Sequence, residues 1–175
     1  MRRAILSLFA ISALASGASA QDAKSATAEL KDTNGEVVGM VELRDTPNGV
    51  WVNASIAGLP QGTHGFHIHE TGKCEGDFKS AGGHFAPAGN KHGILVEGGP
   101  HAGDMPNIHV PSDGRLNFEV FAPAVTLDEG AEGSLFDSDG SAIMVHSGVD
   151  DYKSQPSGDA GARIACGVVT NKTVK

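Results

Sequence analysis

From Thr71 to Asp113 the chain is dense in glycine and sparse in apolar side chains. Short strands and ordered loops fit such a composition better than long helices, because each glycine in a helix interior costs about 1 kcal/mol relative to alanine. Connections of that length without structure of their own are, as a rule, functional or disordered. Asp150 to Ala162 is a second long stretch of this kind, rich in Asp, Ser and Gly. Neither has the hydrophobicity to pack itself, so a fold that contains both loops must order them by other means.

The strands that frame the loops are legible by alternation. Val50, Val52, Ala54 and Ile56 alternate with Trp51, Asn53, Ser55 and Ala57, which places one apolar row on one side of a strand. Asn34-Gly35 and Asn48-Gly49 are hairpin-type breaks, and Leu59-Pro60-Gln61-Gly62 is a third turn. They delimit strands near 25–31, 36–44, 50–57 and 65–70. Later strands are marked by Leu116, Phe118 and Val120, by Ile143 and Val145, and by Ile164, Cys166 and Val168. The expected fold is all-β, a Greek-key antiparallel sandwich or barrel of immunoglobulin-like kind carrying the two long loops. At 39% hydrophobic and 19% charged residues the chain can build a core, and no repeat or linker divides it.

The formal net charge of −8 argues against a nucleic-acid binder. Residues 1–20 stand apart. Arg2 and Arg3 precede an apolar run from Ala4 to Ala15, and Ala18-Ser19-Ala20 offers a small-x-small cleavage pattern. This predicts an export signal removed before Gln21, leaving one domain over 21–175. The apolar run is too short to span a membrane, so the mature chain is expected outside the cytoplasm and free of the membrane. In an oxidising compartment Cys74 and Cys166, the only cysteines, are expected to pair, with two buried thiols as the alternative.

Seven of the eight histidines fall between residues 64 and 109: His64, His67, His69, His84, His92, His101 and His109, with His146 the outlier. His67 and His69 are one residue apart in a segment that reads as strand. Both imidazoles therefore project from one face, while Phe66 and Ile68 point to the core. His84, His92 and His101 follow inside the glycine-rich loop, and Asp104 lies just beyond. Three imidazoles and one carboxylate make a closed four-coordinate set suited to Zn²⁺. A metal also supplies the cross-link such a loop lacks, because its ordering entropy is large and its apolar surface small.

These residues carry a resemblance. Gly65-Phe66-His67-Ile68-His69-Glu70, Gly83-His84-Phe85, Gly99-Pro100-His101-Ala102-Gly103-Asp104, Val145-His146 and Gly161-Ala162-Arg163-Ile164-Ala165-Cys166-Gly167 occur in this order. Together they resemble the copper/zinc superoxide dismutases, specifically the exported bacterial branch, over about residues 25 to 170. Sandwich architecture is a known property of that family.

The resemblance implies one copper and one zinc per chain. His67, His69, His84 and His146 would bind copper, and His84, His92, His101 and Asp104 would bind zinc, with His84 shared. Asp150 would link one ligand of each metal, Asp151 being the adjacent candidate for that role. Arg163 would guide the anionic substrate. The implied reaction oxidises one superoxide to dioxygen and reduces a second to hydrogen peroxide, with His84 handing over a proton, as antioxidant defence in the periplasm. A net negative enzyme repels superoxide unless attraction is local. Lys79 first, then Lys73, both flanking Cys74, are the candidate steering residues. His64 is read as structural and His109 as exposed. A homodimer is a partner the resemblance permits.

Overall fold

The structure is a computed structural model and describes residues 23–171; the expected export signal over 1–20 lies outside those residues. In chain order the strands are β1 (Ser25–Asp32), β2 (Val37–Thr46), β3 (Gly49–Ala57), β4 (Gly62–His64), β5 (Phe66–His69), β6 (Ile108–Val110), β7 (Arg115–Ala122), β8 (Ala142–His146), β9 (Arg163–Val168) and β10 (Thr170–Asn171). One turn of 3₁₀ helix at Lys79–Ala81 is the only helix among the described residues. No described helix is long and apolar enough to cross a membrane.

All strand pairs are antiparallel, and the hydrogen-bonded path runs β5-β8-β9-β1-β2-β3-β7, with β10 on β1 and β4-β6 as a separate pair. The expected alternation is realised on β3. Val50, Val52, Ala54 and Ile56 are buried, while Trp51 stands outward, opposite Phe121 on β7. The two ends of the path meet across the core, where Phe66 of β5 packs edge-to-face on Phe118 of β7 at 5.1 Å between ring centroids. The sheet therefore curls on itself. The chain crosses between the two ends of the path from β3 to β5, from β5 back to β7, and from β7 to β8; the first long loop lies in the second of these crossings, between β5 and β6, and the second long loop joins the neighbouring strands β8 and β9.

Three expectations need correction. The strand expected near 65–70 is β5, which pairs with β8, but the turn expected at 59–62 leads first into a separate short strand, β4, which pairs with β6; Gly65 lies between the two. The first loop also ends earlier than read, because Ile108–Val110 is strand. Finally, the loop does pack. Phe85 and Met105 are buried in the main core, and Phe78 and Ala81 form a second cluster with Ala142, Met144 and Cys166. A few well-placed apolar residues suffice because strands already present the surface they cover.

Cys74 and Cys166 form a disulfide with Cα atoms 5.8 Å apart. It ties the start of the first loop to β9.

Candidate metal centre

The centre is built around β5. Its four residues are all buried, so the histidine row faces packed protein rather than solvent. His67 and His69 lie opposite Met144 and Ala142 of β8, and β8 ends at His146. The first loop returns to β5 through isolated bridges that pair His69 with His84 and His67 with Asp104. Main-chain bonds fix that return. Phe85 N donates to Ile68 O (2.8 Å), Ile68 N to Gly103 O (2.9 Å), and Gly103 N to Phe85 O (2.9 Å). This ladder brings His84 and Asp104 to His67 and His69, and the pairing of β5 with β8 brings His146.

Two four-residue sets result, His67, His69, His84 and His146, and His84, His92, His101 and Asp104. Within each set the ligand atoms lie within 4.8 Å of one another, and His84 belongs to both. In the second set the ring Nδ1 atoms converge on one carboxylate: His84 Nδ1 is 2.7 Å and His101 Nδ1 3.2 Å from Asp104 Oδ1, and His92 Nδ1 is 3.1 Å from Asp104 Oδ2 without hydrogen-bond geometry. In the first set the His69 and His146 Nε2 atoms face each other at 3.3 Å.

The donor set passes a direct test of fit to metal. Buried polar atoms are nearly always hydrogen-bonded, yet His67 Nδ1, His84 Nε2 and His92 Nδ1 are buried without a hydrogen-bond partner among the described residues. These nitrogens point into the two sets. The opposite nitrogens are pinned, as metal-ligating histidines require. His67 Nε2 donates to Asp150 Oδ2 (2.8 Å), His92 Nε2 to Asp150 Oδ1 (3.0 Å), His69 Nδ1 to Gly82 O (3.1 Å) and His146 Nδ1 to Gly161 O (3.3 Å). Asp150 thus spans one histidine of each set. Asp151 instead accepts from Lys153 N and from Ser154.

Burial favours the neutral rings that metals bind. Desolvation pulls His67 down to about 4, His146 to about 3 and His69 to about 2. Burial alone would raise Asp104, but hydrogen bonds from His84 and Gly93 N outweigh it and hold the carboxyl well below the usual range. Asp150 is lowered likewise by bonds from His67, Tyr152 N and His92, against its desolvation. Gly158, at φ +68°, leaves room for this arrangement; a Cβ there would overlap the Asp150 carboxylate and His92 Nε2.

Arg163 donates from its guanidinium to Phe78 O (2.6 Å) and Gly82 O (2.5 Å) of the first loop. Its charge acts on His69 and His146, which places a cation beside the first set. Lys73 and Lys79 are exposed. His64 is buried, with Nδ1 2.8 Å from His146 O and Nε2 3.0 Å from Pro60 O, and the exposed His109 contacts Thr63 Oγ1 at 3.0 Å. Asn107, Tyr152 and Gln155 escaped the sequence reading although all three bond to the loops of the site. Amide and phenol side chains in irregular loops carry no periodicity that would single them out.

A sequence profile of copper/zinc superoxide dismutase matches residues 37–169. Superoxide dismutase [Cu-Zn] 2 of Aquifex aeolicus is 52% identical over 158 residues, covering 89% of this chain and 92% of that protein. Superoxide dismutase [Cu-Zn] of Caulobacter vibrioides is 45% identical over 149 residues, covering 83% and 85%. The crystal structure of a superoxide dismutase-like protein from Bacillus subtilis superposes with a TM-score of 0.78 at 39% identity, covering 82% of this chain and 97% of that one. Set beside two histidine clusters that share a residue, these matches place the chain in the copper/zinc superoxide dismutase family, oxidoreductases whose cofactors are copper and zinc.

Proposed function

We propose that the chain, freed of residues 1–20 on export, dismutes superoxide in the periplasm at a copper held by His67, His69, His84 and His146 and joined through His84 to a zinc held by His84, His92, His101 and Asp104. The observation that carries this reading is the His84 ring. Its Nδ1 lies against Asp104, and its Nε2 is buried without a partner. Copper supplies one-electron redox chemistry that no side chain here can perform, and zinc, which has none, supplies charge and rigidity.

The remaining work falls to the chain. Two superoxide ions and two protons become one dioxygen and one hydrogen peroxide. His84 holds one of those protons at Nε2 while its Nδ1 stays directed at the Asp104 set, so proton delivery is fixed in space. Arg163, anchored by Phe78 O and Gly82 O, keeps a permanent positive charge beside His69 and His146 and binds the anion. Asp150 holds the His67 and His92 rings against reorientation. Lys79, and secondarily Lys73, add local positive charge to a molecule whose full sequence carries −8 and which loses Arg2 and Arg3 with residues 1–20.

Metal analysis joined to a superoxide assay on the mature chain tests the reading. The expected result is one copper and one zinc per chain with turnover, and a His146→Ala variant that keeps zinc but loses copper and activity. Metal bound without turnover would make the protein a copper or zinc carrier instead. Sedimentation equilibrium of the same preparation, giving one or two chain masses, decides whether it forms the homodimer that the family permits.

A further inference from the structure

His92 and Asp150 are both fully buried, and each has its main-chain N–H and C=O taken up by one side-chain amide from the opposite loop. Gln155, in the second loop, accepts from His92 N at Oε1 (3.0 Å) and donates from Nε2 to His92 O (2.9 Å). Asn107, at the end of the first loop, accepts from Asp150 N at Oδ1 (2.9 Å) and donates from Nδ2 to Asp150 O (2.8 Å). Among the described residues neither main chain has another backbone partner. The two residues so clasped are themselves joined, His92 Nε2 to Asp150 Oδ1.

Gln155 therefore does for a loop what a neighbouring strand does in a sheet. A buried peptide group left unsatisfied costs about 1–3 kcal/mol, and at residue 92 two such groups depend on one exposed side chain. The amide also fixes the backbone from which the His92 ring projects. With Nε2 on Asp150, Nδ1 is aimed at His101 and Asp104.

We propose that Gln155 is a positioning residue for zinc: it sets the direction of the His92 Nδ1 lone pair by clasping the main chain of that residue. The proposal rests on the assignment of His84, His92, His101 and Asp104 to zinc. It concerns retention of the ion and the geometry of its field, without a part in electron transfer.

The test compares the parent chain with Gln155→Ala, Gln155→Glu and, as a loop control, Lys153→Ala. Glutamate keeps the acceptor for His92 N but sets an oxygen against His92 O. Each protein is loaded with copper and zinc, and zinc release to a chromophoric chelator is timed alongside copper release. A second preparation carries Co²⁺ in place of zinc for its visible spectrum. Gln155→Ala and Gln155→Glu are expected to release zinc about tenfold faster or more and to change the shape of the Co²⁺ bands, with copper release within twofold of the parent. Lys153→Ala should match the parent in every readout. Zinc release within twofold of the parent, with an unchanged Co²⁺ spectrum, overturns the role of Gln155 and leaves the zinc assignment standing. Equal acceleration of both metals also overturns it, since that reports general loosening of the loop. A parent chain that binds neither Zn²⁺ nor Co²⁺ overturns the zinc assignment and the proposal together.

Discussion

At the scale of single residues, the site depends on which nitrogen of each ring is free. His67 and His92 each spend Nε2 on Asp150 and keep Nδ1 without a hydrogen bond. A charged acceptor holds a ring more firmly than a neutral one, so the carboxylate matters beyond its shape. Asp150→Asn, isosteric but uncharged, is expected to weaken zinc affinity by about 10–100-fold, read by competition with a chelator of known affinity. An affinity within a factor of two would mean that the main-chain clasp by Asn107, rather than the carboxylate, carries the link. The same reading explains why glycine stands at 158, where any side chain would displace that carboxylate.

At the scale of elements, the first loop is held at its near end by the disulfide and by Arg163, both on β9. Cys166 bonds Cys74, and the Arg163 guanidinium bonds Phe78 O and Gly82 O. One strand thus fixes both the cation of the site and the loop that flanks it. Closing 92 positions of chain is worth roughly 4–5 kcal/mol in the chain-entropy account. Reduction of the bond, or a Cys74→Ser/Cys166→Ser pair, should lower the denaturation midpoint and speed copper loss to a chelator, because Gly82 O also pins His69. Equal copper loss from oxidised and reduced protein would show that the arginine and the cluster around Phe78 hold the loop unaided.

At the scale of the whole molecule, burial and net charge act in opposite directions. The metal-free fold keeps His67, His69 and His146 neutral, with values pushed by burial to about 4, 2 and 3 from an ordinary 6.5. The unfolded chain takes up protons on these rings near pH 6.5, and the folded chain does not. Stability from this source is therefore full above pH 6.5 and is lost as pH falls toward 4. The lowered carboxyls of Asp104 and Asp150 contribute above 3.8 and lose their part only below it. Chemical denaturation of the metal-free chain should show a midpoint that falls steadily between pH 7 and 4.5; a flat profile would contradict the buried neutral rings. Net charge sets the second expectation. With −8 overall, the approach of an anion depends on local cations, and Lys79→Glu should slow superoxide removal at low salt, the deficit shrinking as salt screens it. An unchanged rate constant with full metal content would remove Lys79 from that role.

The alternation of Val50 to Ile56, the turn at Asn48-Gly49 and the His-x-His step at 67 and 69 are local patterns with periods fixed by backbone geometry, and they were legible without coordinates. Composition overstated the need for something to bind the glycine-rich loop, because Phe78, Ala81, Phe85 and Met105 pack parts of it on the strands. The short strand β4, the burial of Phe85 and Met105, and the clasps of Asn107 and Gln155 were not legible. Each depends on partners tens of residues away that meet only when the sheet curls. The sequence by itself determined the longer strands and the ligand types, and its family resemblance carried the sharing of His84. Only the tertiary structure decided that the free nitrogens face inward, because the direction of a lone pair is set by the hydrogen bond on the far side of the ring, and that bond is made across the fold.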